Sequence, residues 1–399
     1  MKPLVYILTL LAFFACNERT VQEESNTINV KDAMHSVRPI GLSEITSGIT
    51  YIPLETTDSS LIGEQADMRV FNAYILVSSA NQNLKLFDRK SGKFLSEIGH
   101  IGIDPQGYAK DSWGKVNYWV DSRMNHIYVL GWKNDWQVYD VHNNYIKQIA
   151  IEDNVHYNLA QSCFLMDGDW IYGQNKFGVS DTIPSLFVYQ ASDSSIRTIP
   201  GLQHGNLPFE DFLSVSLFLG NYVGFGGDLY METYSGDRKL YTAVNSPSLW
   251  KSGQEFRVKQ AFNDTIYTVR QNQLHPYRIF DLGDWHWEYA ERLQVAGCEN
   301  RIAIDYVLEN EDILYFHFHT GLYSDNSKTY CGIYKKENGE VKIMEGDEWI
   351  DSEHNQALQI RNISNEGNFC ALLLPEKLSD ELKEQLKVGE EDNPVIALF

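Results

Sequence analysis

Residues 73–99 read AYILVSSANQNLKLFDRKSGKFLSEIG, and a related stretch, HIYVLGWKNDWQVYDVHNNYIKQI, follows at residues 126–149. In the first, Tyr74-Ile75-Leu76-Val77 is a short run of strand formers. A polar turn follows, and then Leu84-Lys85-Leu86-Phe87-Asp88 alternates apolar and polar, the period of a half-buried strand. Gly92 punctuates the next turn, where a glycine reaches positive φ at little cost. Phe94-Leu95-Ser96-Glu97-Ile98 alternates again. The second stretch repeats these pieces as Ile127-Tyr128-Val129-Leu130, Trp136-Gln137-Val138-Tyr139-Asp140 and Tyr145-Ile146-Lys147-Gln148-Ile149. Asp88 and Asp140 close the same strand after an aromatic residue, about 50 residues apart. A unit of roughly 40–50 residues with several strands and no helix is the pattern of a propeller blade. An ordinary antiparallel sandwich with accidental self-similarity is the competing reading.

Working outward, the reading expects six blades. The first occupies residues 62–99, the second 113–151 and the third 161–199. The fourth is drawn out, running from Gly227-Asp228-Leu229-Tyr230-Met231-Glu232 through a polar excursion at 237–254 to Asp264–Val269 and Pro276–Phe280. The fifth holds Ile313–Phe316, Gly332–Lys336 and the Asn338-Gly339 hairpin signal. The sixth holds Ala357–Ile360 and Phe369–Leu374. A helix from about Pro375 to Val388, stopped by Gly389, precedes a final strand at 394–399. Pro53 cannot donate to a ladder, so the strand at 48–55 belongs at an edge. In a closed ring it completes the last blade and fastens the two chain ends. The expected fold is all-β: a six-bladed β-propeller with terminal strands closing the ring and one short C-terminal helix.

The first residues read as an export signal. Lys2 supplies positive charge, and Leu4 to Ala15 is an apolar stretch too short to span a bilayer. Its end, Phe13-Phe14-Ala15-Cys16, resembles the bacterial lipobox, although Phe13 and Phe14 replace the usual aliphatic and small residues. The resemblance implies cleavage before Cys16 and lipid attachment to its sulfur; a buried cysteine in a simple signal peptide is the alternative. The expected organisation is a signal at 1–16, a flexible tether at 17–40, and the propeller at 41–399.

Family likeness is carried by Val120-Asp121, Ile127-Tyr128-Val129 and Gln137-Val138-Tyr139-Asp140, preceded by the glycine-rich segment 99–108. These resemble the NHL repeat, which builds six-bladed propellers. The mature chain as a whole resembles a family of six-bladed β-propeller lipoproteins of Bacteroidota. The supporting pieces are Tyr51-Ile52-Pro53-Leu54-Glu55-Thr56, Asn263-Asp264-Thr265-Ile266-Tyr267 and Glu391-Asp392-Asn393-Pro394-Val395. The resemblance implies the fold, and an outer-membrane location on the periplasmic or cell-surface face; it carries over no catalytic residues.

Composition limits the function classes. The 399 residues carry a formal net charge of −21, which argues against nucleic acid, whose phosphates need cationic neutralisation. It argues equally against peripheral binding to anionic lipid. Membrane contact is therefore expected only through a lipid at Cys16, for a monomer facing a protein, peptide or glycan. Cys163, Cys298, Cys331 and Cys370 form no CxxC pair, which excludes zinc-ribbon and thioredoxin-like readings. Those in strand-like runs read as buried small hydrophobes, with a disulfide as the alternative.

No nucleophile elbow, phosphate loop, dinucleotide fingerprint or HExxH motif is present. Trp113 and Trp132 are candidate binding aromatics, Trp132 because it lies in a turn. Trp285, His286 and Trp287 form a cluster that could stack a sugar or an aromatic peptide side chain, or else a packed connector. His317 and His319 stand two apart in a strand and share a face, so they are candidate ligands for a divalent metal. The first functional expectation is a lipid-anchored envelope propeller that binds or scaffolds a peptide, glycan or partner protein. The alternative is a metal-dependent hydrolase or lyase on the ring axis, motivated by His317 and His319. Histidines aimed into the channel near carboxylates favour the second; histidines buried between blades oppose it.

Overall fold

A computed structural model describes residues 26–399 except 111–113, 134, 151–161, 176–185, 203–214, 220–228, 236–237, 245–247, 261, 292–295, 323 and 325. Six sheets form the ring. Blade 1 is Asp67–Phe71, Tyr74–Ser78, Leu84–Asp88 and Phe94–Ile98, in that order. Blade 2 is Tyr118–Asp121, His126–Leu130, Asp135–Asp140 and Tyr145–Ala150, and blade 3 is Ser162–Asp167, Trp170–Asn175, Leu186–Gln190 and Ser195–Thr198. Blade 4 is Ser248–Ser252, Glu255–Lys259, Thr265–Arg270 and Gln273–Asp281. Blade 5 is Ile302–Glu309, Ile313–Thr320, Lys328–Lys335 and Val341–Glu345. Blade 6 is Asn362–Ile363, Phe369–Leu373, Val395–Leu398 and, at its outer edge, Thr50–Pro53. The first strands of blades 2 to 6 meet in sequence, and that of blade 6 meets blade 1. Blades 1 and 2 share an apolar cluster that completes the circuit.

Strand alternation explains the packing. In blade 1, Leu76, Leu84 and Leu86 turn toward blade 2, whereas Ile75, Val77 and Phe87 turn toward blade 6. Consecutive side chains in a strand face opposite ways, so a strand sandwiched between two blades is apolar on both faces. The remaining interfaces follow the same plan: one cluster joins blades 2, 3 and 4, another joins 4 and 5, and a third joins 5 and 6.

Ring closure takes the expected form. Thr50–Pro53 pairs antiparallel with Val395–Leu398, with Thr50 opposite Leu398 and Pro53 opposite Val395. Gly92, in the blade 1 turn, has φ +69°, and a Cβ there would lie 1.9 Å from the Pro53 carbonyl oxygen. That backbone approach requires glycine.

Four expectations are corrected. The proposed tether at 17–40 does not extend to 40: Thr27–Asn29 pairs in parallel with Gln273–Asp281. Ile28 and Val30 are buried against Phe280 and Leu282, so apolar side chains spaced two apart anchor a segment that reads as polar overall. The fourth blade does not include Leu229–Ser235, which pairs with Val215–Leu219 and Arg238–Val244 in a separate three-stranded sheet. The 237–254 excursion instead contributes Ser248–Ser252, the blade's inner strand. Ala357 lies outside blade 6, in a hairpin of Glu348–Asp351 with Gln356–Gln359. The helix is shorter than expected, Asp380–Leu386. Ser379 caps it, its hydroxyl accepting from Leu382 N at 3.2 Å, and Lys387 ends it at φ 58° rather than Gly389. Leu378 and Ser379 are extended, which separates the helix from the short turn Pro375–Lys377.

Candidate functional site

The strand Ile302–Glu309 carries Asp305 inside the otherwise apolar run Ile302-Ala303-Ile304-Asp305-Tyr306-Val307-Leu308 and a second charge, Glu309, at its end. Its register with Ile313–Thr320 slips there: Ile304 faces Phe318, and Tyr306 already faces His317. Asp305 is the extra residue of a β-bulge, and bulges re-aim side chains. Ile302, Ile304 and Val307 turn toward blade 4, while Tyr306 and Leu308 turn toward blade 6. The bulge thus puts Asp305 and Tyr306 together on the blade 6 side.

His317 and His319 meet Asp305 on that side. The Asp305 Oδ2 atom lies 2.6 Å from His317 Nδ1 and 2.7 Å from His319 Nδ1. The imidazole rings are edge-to-face with centroids 5.3 Å apart. His317 stacks on Tyr306, with centroids 4.9 Å apart and planes 9° from parallel, and the Tyr306 hydroxyl donates to the Ile360 carbonyl oxygen at 3.0 Å. Asp305 is 3% and His317 1% exposed, whereas the His319 side chain is 24% exposed. Among the described residues His317 Nε2 has no hydrogen-bond partner; Asp347 Oδ2 is 3.9 Å away. Asp347 is in turn held by Gln359 Nε2 at 3.2 Å and lies 3.6 Å from Arg361.

These contacts set the protonation behaviour. Burial pushes the Asp305 carboxyl up, but the His319 charge and the close contacts of both imidazoles outweigh it and hold the group well below the usual carboxylate range. Burial pulls His319 down; the charge and close contact of Asp305 reverse this, and the net shift is upward. The arrangement can hold an imidazolium against a carboxylate, or offer two nitrogens and an oxygen to a cation.

The placement of the histidines corrects one sequence expectation. They lie on the second strand of blade 5, facing the blade 6 side with His317 buried and His319 partly exposed, and not on the inner strand that lines the ring axis. Their common face was readable from their spacing. Asp305 was missed, although a lone aspartate in an apolar strand is the signal that could have found it. Asp347 and Arg361 come from connectors and had no local signature.

The remaining candidates do not converge with this cluster. Trp132 is 50% exposed and its indole N–H donates to the Gly102 carbonyl oxygen. That fastens it to the loop bearing Ile103, which is 88% exposed. His286 contacts Asp264, and its Nε2 lies 3.2 Å from Glu288. Burial raises the Asp264 carboxyl, with His286 offsetting part of the rise. Trp287 is buried against Phe262, with ring centroids 5.1 Å apart, and Trp285 packs on the blade 4/5 cluster. Of the three, Trp287 is buried in the connector, while Trp285 and His286 are half-buried. Cys331 and Cys370 are buried free thiols, and Cys298 is buried as well. Cys16 and Trp113 lie outside the described residues, as does the side chain of Cys163.

Residues 25–399 match the family described as Domain of unknown function (DUF4934). No curated protein matches the chain. Among solved structures, a Bacteroides fragilis NCTC 9343 protein that its name marks as a candidate exported protein is similar at TM-score 0.59 and 17% identity. The match covers 91% of this chain and 97% of that one. The β-propeller domain of Cps50 (Swd1) from Myceliophteria thermophila reaches TM-score 0.36 at 9% identity, covering 75% and 90% of the two chains.

Proposed function

Because this chain belongs to the DUF4934 family over residues 25–399 and folds as a closed six-bladed ring, we propose that it is an exported, lipid-anchored module that binds a protein, peptide or glycan. The observation that carries this reading is the pairing of Ile103 and Trp132 at the junction of blades 1 and 2. Both are strongly exposed, and the Trp132–Gly102 hydrogen bond holds them on one surface. An exposed aromatic fixed in orientation loses little entropy when a ligand covers it, and such residues carry binding energy at interfaces. Export draws support from the apolar stretch ending at Cys16 and from the name of the Bacteroides fragilis neighbour. Among the described residues no helix is long and apolar enough to cross a membrane.

The structured N-terminus shortens the proposed link. Cys16 stands ten residues before Asn26, so the chain between them reaches at most about 35 Å. A lipid at Cys16 holds the blade 4 side of the ring close to the membrane, with the protein acting as a monomer on the outer membrane. The anchor is tested by fractionating cells that express Cys16→Ser. The wild type is expected in the membrane fraction and the variant in the soluble envelope fraction; a variant that stays on the membrane contradicts the anchor. Retention of an envelope component through Ile103 and Trp132 tests the binding role.

A further inference from the structure

We propose that Asp305, His317 and His319 form a binding site for a divalent transition metal of the zinc class, fastening the second strand of blade 5 to the bulged inner strand and, through Asp347, to the connector that leads into blade 6. One ligand atom from each of the three residues lies within 4.8 Å of the others. Two nitrogens and one carboxylate oxygen are a donor set that suits zinc, and three protein ligands leave a fourth position for water.

The ring geometry supports this. Two imidazoles bound at about 2.0–2.1 Å at a tetrahedral angle place their centroids about 5 Å apart; those of His317 and His319 are 5.3 Å apart. Both rings bring Nδ1 within 2.7 Å of one carboxylate oxygen, His317 through a hydrogen bond and His319 by proximity alone, so a cation takes the shared position once the donors separate by about 0.6 Å. The Tyr306 stack and the bulge fix the orientation of His317 and Asp305 before any ligand arrives.

An independent observation comes from the far side of His317. Its Nε2 is buried and has no hydrogen-bond partner among the described residues, and it faces Asp347 Oδ2 at 3.9 Å. When Nδ1 binds a metal, Nε2 carries the proton and becomes a donor. A carboxylate opposite that donor is the second-sphere arrangement that fixes the tautomer of metal-bound histidines. With both imidazoles neutral, as metal ligands must be, Asp305 and Asp347 bring two negative charges, and Arg361, 3.6 Å from Asp347, brings one positive. A divalent cation offsets the excess within the interface. The partial exposure of His319 supplies the route of entry.

The test is calorimetric titration of Zn²⁺ into the detergent-solubilised, chelator-treated full chain, with thermal unfolding followed in parallel. The wild type is expected to take up about one equivalent. Its Tm should rise on the order of 5 °C at a hundredfold excess over Kd. Because Asp305 is fully buried and Asp305→Asn can fail to fold, the partly exposed His319 carries the decisive variant. His319→Ala is expected to weaken binding at least about 100-fold. His354→Ala, which alters a different His–Asp pair, should leave binding unchanged. Absence of saturable uptake by the wild type, or equal affinity in His319→Ala, overturns the proposal and leaves the cluster a hydrogen-bonded triad.

Discussion

Glu309 shows how a single charged side chain is kept inside this ring. None of its side chain is exposed, and Lys336 Nζ lies 2.7 Å from its Oε1. The Trp250 indole N–H donates to it at 2.7 Å and the Tyr277 hydroxyl at 2.8 Å. Arg257 stands 4.0 Å away, its guanidinium lying over the Tyr277 ring at 3.8 Å. Two hydrogen-bond donors and two cationic side chains from blades 4 and 5 thus surround one carboxylate. Glu309→Ala strips Trp250 and Tyr277 of their acceptor and Lys336 of its carboxylate partner, while Arg257 keeps Glu255 at 2.7 Å; removing one partner of a buried pair costs about 3–5 kcal/mol. Urea unfolding is the check: a loss under about 1 kcal/mol would mean that Glu309 is dispensable. The sequence offered no means to find this group, since its partners lie in other strands and a glutamate at a strand end usually reads as solvated.

At the scale of elements, the hairpin before blade 6 is tied to the N-terminal strand through one carboxylate. Asp351 accepts from the Tyr51 hydroxyl at 2.7 Å and pairs with His354 Nδ1 at 2.7 Å. The hydrogen bond that His354 donates to Asp351 raises the imidazole above its usual value. Burial raises Asp351, but its bonds to Tyr51 and His354 prevail and lower it. Each shift fixes a window of stability. The raised histidine stabilises fully below its unfolded value of about 6.5 and loses this as pH climbs through its folded value. The depressed aspartate stabilises above its unfolded value of about 3.9 and loses this as pH falls. His354→Gln is therefore expected to remove the alkaline part of the pH dependence, and Asp351→Asn both parts. Urea midpoints measured from pH 3 to 9 would show it, and profiles parallel to the wild type would refute it. Blades 1, 2, 3 and 5 were legible because each carries its own alternation and turn glycine or asparagine. Blade 4 was not. Its inner strand, Ser248–Ser252, is short and polar at its ends, and Leu229–Ser235 offers a stronger local pattern that belongs to another sheet. The partner of a strand is a long-range property, and local periodicity is silent about it. The bulge at Asp305 was hidden for a related reason: a register slip is set by the neighbouring strand.

Across the whole molecule, closure by the two chain ends makes the ring a rigid frame. Thr50–Pro53 joins blade 6 from the N-terminal side, and Thr27–Asn29 lies on blade 4, so the N-terminal segment clasps two blades before the first begins. Glu44 adds a third fastening. Its carboxylate meets Lys335 at 2.6 Å and Lys342 at 2.8 Å on blade 5, and these hydrogen bonds lower it to about 2. A frame held this way presents loops without deforming, which suits a binding module. The most direct test immobilises the folded ring, residues 26–399, and quantifies what it retains from envelope extract beside an Ile103→Ser, Trp132→Ala ring of equal thermal stability. The account predicts an envelope component retained by the wild-type ring and reduced at least about tenfold by the double variant. Equal retention by the two rings, or none by the wild type, would contradict it.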